Sequence, residues 1–147
     1  MIGLELLSPD LVAKLRLASP DKQRAAALVS CEFAISHARV EHPLVEEALR
    51  ELHVGTVLIP QRKAKIDALA SQIDEEYFDL QEAAQEGRAS KEEYLQMFAK
   101  ARAVAALSFA CTEDAFQAAT EAIYEAAATI GDTNKRELFA LVESALK

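Results

Sequence analysis

The chain reads as an all-α protein, a single-domain antiparallel helical bundle of about six to seven helices spanning residues 1–147. Three observations predict this. Apolar residues recur at steps of three and four, the spacing that lines one face of a helix. Four prolines and four glycines are too few for a loop-rich fold, and most stand where helices begin or end. β-Branched and aromatic residues never alternate over a useful length, so no strand is expected.

Ser8-Pro9-Asp10 and Ser19-Pro20-Asp21 each supply an N-cap hydroxyl, a proline at the first helical position and an acid in the first turn. The hydroxyl satisfies a free backbone N–H, and the acid meets the positive end of the helix dipole. The first helix then runs Pro9–Ala18 and the second Pro20 to about Arg39. Leu28, Cys31, Ile35 and Ala38 line one side of the second, and Val29 and Phe33 widen its apolar face. A face that broad suits a central helix. His42-Pro43 restarts the chain, with Leu44, Val45, Ala48, Leu49 and Leu52 on a third helix that Gly55 closes. Val57-Leu58-Ile59 forms an apolar connector.

From Pro60 to Glu86 the positions Ile66, Leu69, Ile73, Tyr77, Leu80 and Ala84 approach a heptad, which predicts the longest helix, ended by Gly87. Ser90 and Glu93 form a capping box for the next. That helix carries Tyr94, Leu95, Phe98, Ala101, Ala105 and Leu107 and stops near Cys111. Thr112, Glu113 and Asp114 start another through Phe116, Ala119, Ile123, Ala127 and Ile130. Gly131 ends it, and Asp132 or Thr133 caps a last helix holding Leu138, Phe139, Leu141, Val142 and Leu146. Thirteen alanines between residues 99 and 128 predict two helices whose backbones approach closely. Linkers of two to five residues favour antiparallel neighbours.

A chain of 147 residues buries about two-thirds of its unfolded surface and needs no metal or disulfide to fold. The longest apolar or small-residue run, Ala103–Cys111, is far short of the roughly 20 residues that span a bilayer, so no membrane segment is expected. Met1–Leu7 lacks a signal-peptide core, which makes the cytoplasm the expected compartment. Cys31 and Cys111 stand 80 positions apart on apolar faces and read as small buried hydrophobes.

Charge carries the functional signal. Residues 1–73 hold nine acids and nine bases, whereas 74–125 hold twelve acids against four bases, so the net −8 is local. From Asp74 to Glu86 there are six acids and no base. Phe78 is rotated about 100° from the apolar stripe and lies beside Asp74, Glu75 and Glu82 at helical spacing. An aromatic ringed by carboxylates has the character of a protein-binding hot spot; the competing expectation is that a neighbouring helix covers Phe78.

Other clusters carry weaker signals. His37 and His42, with Glu41 and Glu46, meet at a helix junction, but their spacing across a proline suits no metal site; His42 is expected to act as a cap and His37 to be partly exposed. No Glu-x-x-His or His-Glu-x-x-His occurs. Arg62, Lys63 and Lys65 could hold an anion at a helix start, yet the acidic chain repels nucleic acid, and the expectation is that the cluster is solvated or pairs with acids from elsewhere. Arg102, set among alanines, is expected to staple two helices by pairing with Glu121 or Glu125.

Ala101 through Leu107, followed by Glu121 through Ala126, resembles the alanine-rich helices of small acidic, all-helical bacterial immunity proteins. The resemblance implies an intracellular protein that neutralises a toxin by masking it, and it brings no contact residue with it.

The resulting expectation is a non-enzymatic protein-binding module of immunity or inhibitor type, directed at a basic protein. It needs no catalytic residue, metal or cofactor. Asp74, Glu75, Phe78, Asp79, Glu82 and Glu86 carry binding, with Phe78 as anchor and the carboxylates as steering groups. The alternatives are a small helical hydrolase or metal-dependent enzyme using His37 and His42, and a scaffold that self-associates through the long helix or the alanine-rich pair.

Overall fold

The computed structural model describes residues 3–55 and 58–147, with only the backbone of Thr133. Among the described residues eight helices form: α1 (Gly3–Leu7), α2 (Pro9–Leu17), α3 (Pro20–Ala38), α4 (Pro43–His53), α5 (Pro60–Gln85), α6 (Lys91–Ala110), α7 (Ala115–Thr129) and α8 (Asp132–Ala145). Among the described residues there is no strand. The all-α expectation holds, and the helix count exceeds it because α1, only five residues long, has too few positions to show a period.

The punctuation acts as the side chains dictate. Ser8, Ser19 and Ser90 each accept a hydrogen bond through Oγ from the N–H three residues on. His42 caps α4, its Nδ1 accepting from the Leu44 N–H at 3.1 Å. Gly55 and Gly87 take positive φ just past α4 and α5, where glycine avoids the clash of a Cβ. Asp114, the last of the three residues expected to open α7, is its cap and accepts from the Gln117 N–H at 2.8 Å. The expected cap of α8 is corrected: Gly131 occupies that position without a side-chain bond, and Asp132 lies inside the helix, paired with Lys135. The Thr133 side chain and Val57 of the apolar connector lie outside the described residues; of the rest of that connector, Leu58 is buried and Ile59 exposed.

One core draws on all eight helices. Its centre is α3 packed on α7, with α6 closing the third side, α8 covering α3, and α1 and α2 lying against α7. Ala26, Ala27, Cys31 and Ala34 of α3, Ala118, Ala119, Ala122 and Ala126 of α7, and Ala103, Ala106 and Ala110 of α6 are all buried. The single methyl groups of these alanines let three helices meet at one seam. Polar groups there are satisfied: Ser30 donates to the Ala26 carbonyl, Thr129 to that of Glu125, and Gln23 reaches across to the Leu15 carbonyl. The Arg24 guanidinium donates to the carbonyls of Ala110, Thr112 and Glu113, supplying acceptors at the end of α6 with donors they lack within the helix.

The core does not extend along the whole of α5 and α6. Its last contributor on α5 is Ile73 and its first on α6 is Ala103. Beyond these the two helices continue as a hairpin, with α6 the main packing partner of α5.

Candidate functional site

The outer hairpin is held by an aromatic seam. Tyr77 lies 5.3 Å from Phe98 and 6.4 Å from Tyr94, centroid to centroid, in tilted arrangements that suit the ring quadrupoles. The next residue on each helix is turned out of this seam. Phe78 follows Tyr77 and is 61% exposed, its ring 5.3 Å from that of Tyr77. Leu95 follows Tyr94 and is 46% exposed.

The two exposed residues share a side. In antiparallel helices facing each other, a one-residue advance rotates both side chains toward the same edge of the interface. The Asp74–Arg102 ion pair, at 2.7 Å, marks that edge: Asp74 stands four residues before Phe78, and Arg102 seven residues, about two turns, after Leu95. Phe78 and Leu95 therefore flank one groove between α5 and α6.

Arg102 closes the groove at its base. Its guanidinium donates to Asp74 of α5 at 2.7 Å and to Glu125 of α7 at 2.9 Å, and lies 6.0 Å from the Phe98 ring centroid. The expected staple to Glu125 is present, while Glu121 is not its partner. Burial raises the Glu125 carboxyl above its ordinary value, against the attraction of Arg102, which lowers it. The two carboxylates outweigh burial at Arg102 and raise its pKa, so the guanidinium stays charged.

The residues expected to bind a partner divide accordingly. Glu75, Phe78, Asp79 and Glu82 are exposed on α5, and Glu86 is exposed at its C-cap. Glu86 pairs with its near neighbour Arg88 at 2.6 Å. Asp74 is engaged inside the protein by Arg102 and serves the base of the groove. The acidity does not run on unbroken into α7, because Asp114 is spent as a cap and Glu125 on Arg102. Residues 74–98 nevertheless hold eight acids against Arg88 and Lys91, so the hairpin's field is negative.

The remaining clusters resolve as structure. Arg62 pairs with Glu47 and Glu51 of α4 at 3.0 and 2.9 Å, and Lys63 with Asp67, which accounts for two of the three bases at the start of α5; Lys65 is exposed. His37 is exposed, and among the described residues no hydrogen bond or ion pair joins it to His42, Glu41 or Glu46. No group of three or more His, Cys, Asp or Glu among the described residues is placed to hold a metal ion. Cys31 is fully buried and Cys111 partly so; burial raises both thiols, that of Cys111 to about 12. No described helix is long and apolar enough to cross a membrane.

Two features escaped the sequence reading. The spacing puts Leu95 on the apolar face of its helix, although its place directly after Tyr94 repeats that of Phe78 after Tyr77. A concavity of about 760 Å³ also opens between the start of α3, the end of α4 and the α6–α7 turn, lined by Arg24, Leu28, Leu52, Leu58 and Phe116 among others. Several of its polar side chains are committed: Arg24 to backbone carbonyls, Gln23 to Leu15, His53 to Glu32 at 2.6 Å, and Asp114 to its cap. No single spacing joins these residues, which come from three separate stretches of chain.

Comparison with protein-family models, with curated proteins and with solved structures finds no match to this chain.

Proposed function

We propose that this protein is a non-enzymatic binding module of inhibitor type that masks a basic protein through the outer α5–α6 hairpin. The observation that carries the reading is Phe78, a large aromatic held 61% exposed on an acidic helix that extends past the core. An aromatic so placed is costly to leave in water, and residues of this kind anchor protein interfaces. Glu75, Asp79 and Glu82 surround it with charge that accelerates encounter with a basic partner and excludes acidic ones. The bacterial immunity resemblance agrees with such a role.

The test is quantitative capture from a native-source extract at low and high salt, using wild type and Phe78→Ala in parallel. A basic protein retained by wild type, released by salt and bound about 30-fold more weakly by Phe78→Ala, equivalent to about 2 kcal/mol, is the expected result. Equal retention by the folded variant removes the hairpin from the interface.

A further inference from the structure

We infer that the occupant of the hairpin groove is a lysine- or arginine-rich amphipathic helix of the partner, seated between Phe78 and Leu95 past the C-terminal end of α7. This inference rests on the binding reading given above and specifies the partner's shape.

α7 packs along α6 as the third helix of the layer, and Glu125 meets Arg102 near its C-terminal end. α7 stops at Thr129, four residues beyond Glu125, and the chain turns into α8, which packs on α3. The edge of the α5–α6 pair marked by Arg102 and Asp74 runs on to the hairpin tip, and its apolar residues Phe78 and Leu95 stand open. Beyond the last turn of α7, α6 leaves about 10 Å of this edge back to Lys91, room for about two turns of a helix. A helix laid there meets two apolar side chains at one level, the pattern read by grooves that accept amphipathic helices.

Charge selects the occupant. The groove is bordered by Glu75 and Glu82 on α5 and Glu92 on α6, all exposed. Its inner end faces the C-terminus of α7, the negative end of that helix dipole. A second copy of this chain would bring eight acids and two bases of its own over residues 74–98, setting like charge on like. Lys91 and Arg102 stand at the two ends of the groove on α6, with Arg102 already paired with Asp74 and Glu125, so a basic helix meets opposite charge along its α5 side, at Glu75 and Glu82, and buries its apolar side on Phe78 and Leu95.

The experiment uses a synthetic lysine–leucine peptide, stapled to hold it helical, with its leucines on one face, and a stapled isomer of the same composition with the leucines dispersed. Both carry the same charge, so electrostatic attraction alone binds them equally. The expected result is that the amphipathic isomer binds about tenfold tighter and that this preference disappears in the Phe78→Ala/Leu95→Ala variant. Both residues are exposed, so the variant is expected to fold, as circular dichroism verifies. Equal binding of the isomers, or a preference that survives in the variant, overturns the helical occupant. If extract capture still depends on Phe78 in that case, the binding reading stands and only the partner's shape is wrong; capture independent of Phe78 removes the reading itself. A wild-type dimer in light scattering that the double variant abolishes overturns the inference in favour of a second copy.

Discussion

α7 and α5 are both regular helices, yet they meet water in opposite ways. α7 buries nine of its fifteen residues, whereas α5, with twenty-six, buries two, Ile66 and Ala83. α7 is short and relies on tertiary burial, as most helices do. α5 is rich in Gln, Lys, Ala, Leu and Glu, has no glycine or proline after its first residue, and is held over its outer half by one partner helix. One helix is held by the core, and the other leaves most of its length to water.

The contrast should appear first in truncations. Ile123→Ala, in the fully buried face of α7, is expected to cost about 2–5 kcal/mol in denaturant unfolding, whereas Phe78→Ala should lie within about 0.5 kcal/mol of wild type. Comparable losses would mean that the outer hairpin is part of the stabilising core.

The join between the regions gives the next largest effect. Arg102→Ala leaves Glu125, whose side chain is 11% exposed, without its guanidinium partner, and should cost about 2 kcal/mol. Hydrogen exchange should quicken in residues 74–98 while α3 amides remain protected. Uniform acceleration along the chain would show that Arg102 supports the core and not specifically the hairpin.

A smaller effect lies in pH dependence. Because burial raises the Glu125 pKa, the folded protein holds more protons than the unfolded chain just above the ordinary value of 4.5. The contribution of Glu125 is thus fully present below that value and declines as pH rises through the folded-state pKa. Glu125→Gln cannot titrate, so the stability of wild type minus that of the variant should fall with rising pH over this interval and level off above it. A difference that rises instead would show that Arg102 outweighs burial at this carboxylate.

Local signals were the legible part of the sequence. Ser8, Ser19, Ser90, His42, Gly55 and Gly87 mark helix ends through interactions confined to a few residues, so reading order in the chain suffices. The Arg102–Glu125 staple was legible because an arginine among alanines needs a partner and the following helix offered acids. The heptad of α5 predicted a helix but not that its stripe serves two different neighbourhoods: Ile66, Leu69 and Ile73 join the core, while Tyr77 meets Tyr94 and Phe98. Spacing specifies a face and not what covers it. The same limit hid the second role of Asp74, which reads as one acid of a row and is drawn away by an arginine 28 positions later.

α6 is one unbroken helix of twenty residues, about 30 Å long, with its first half in the hairpin and its second half in the alanine seam. Arg102, the twelfth of the twenty, stands where the two halves meet. The inner half is fixed against its neighbours at Ala103, Ala106 and Ala110, where close packing leaves little room to yield. The rigidity of the outer half is therefore set at a distance from it, by alanine methyl groups.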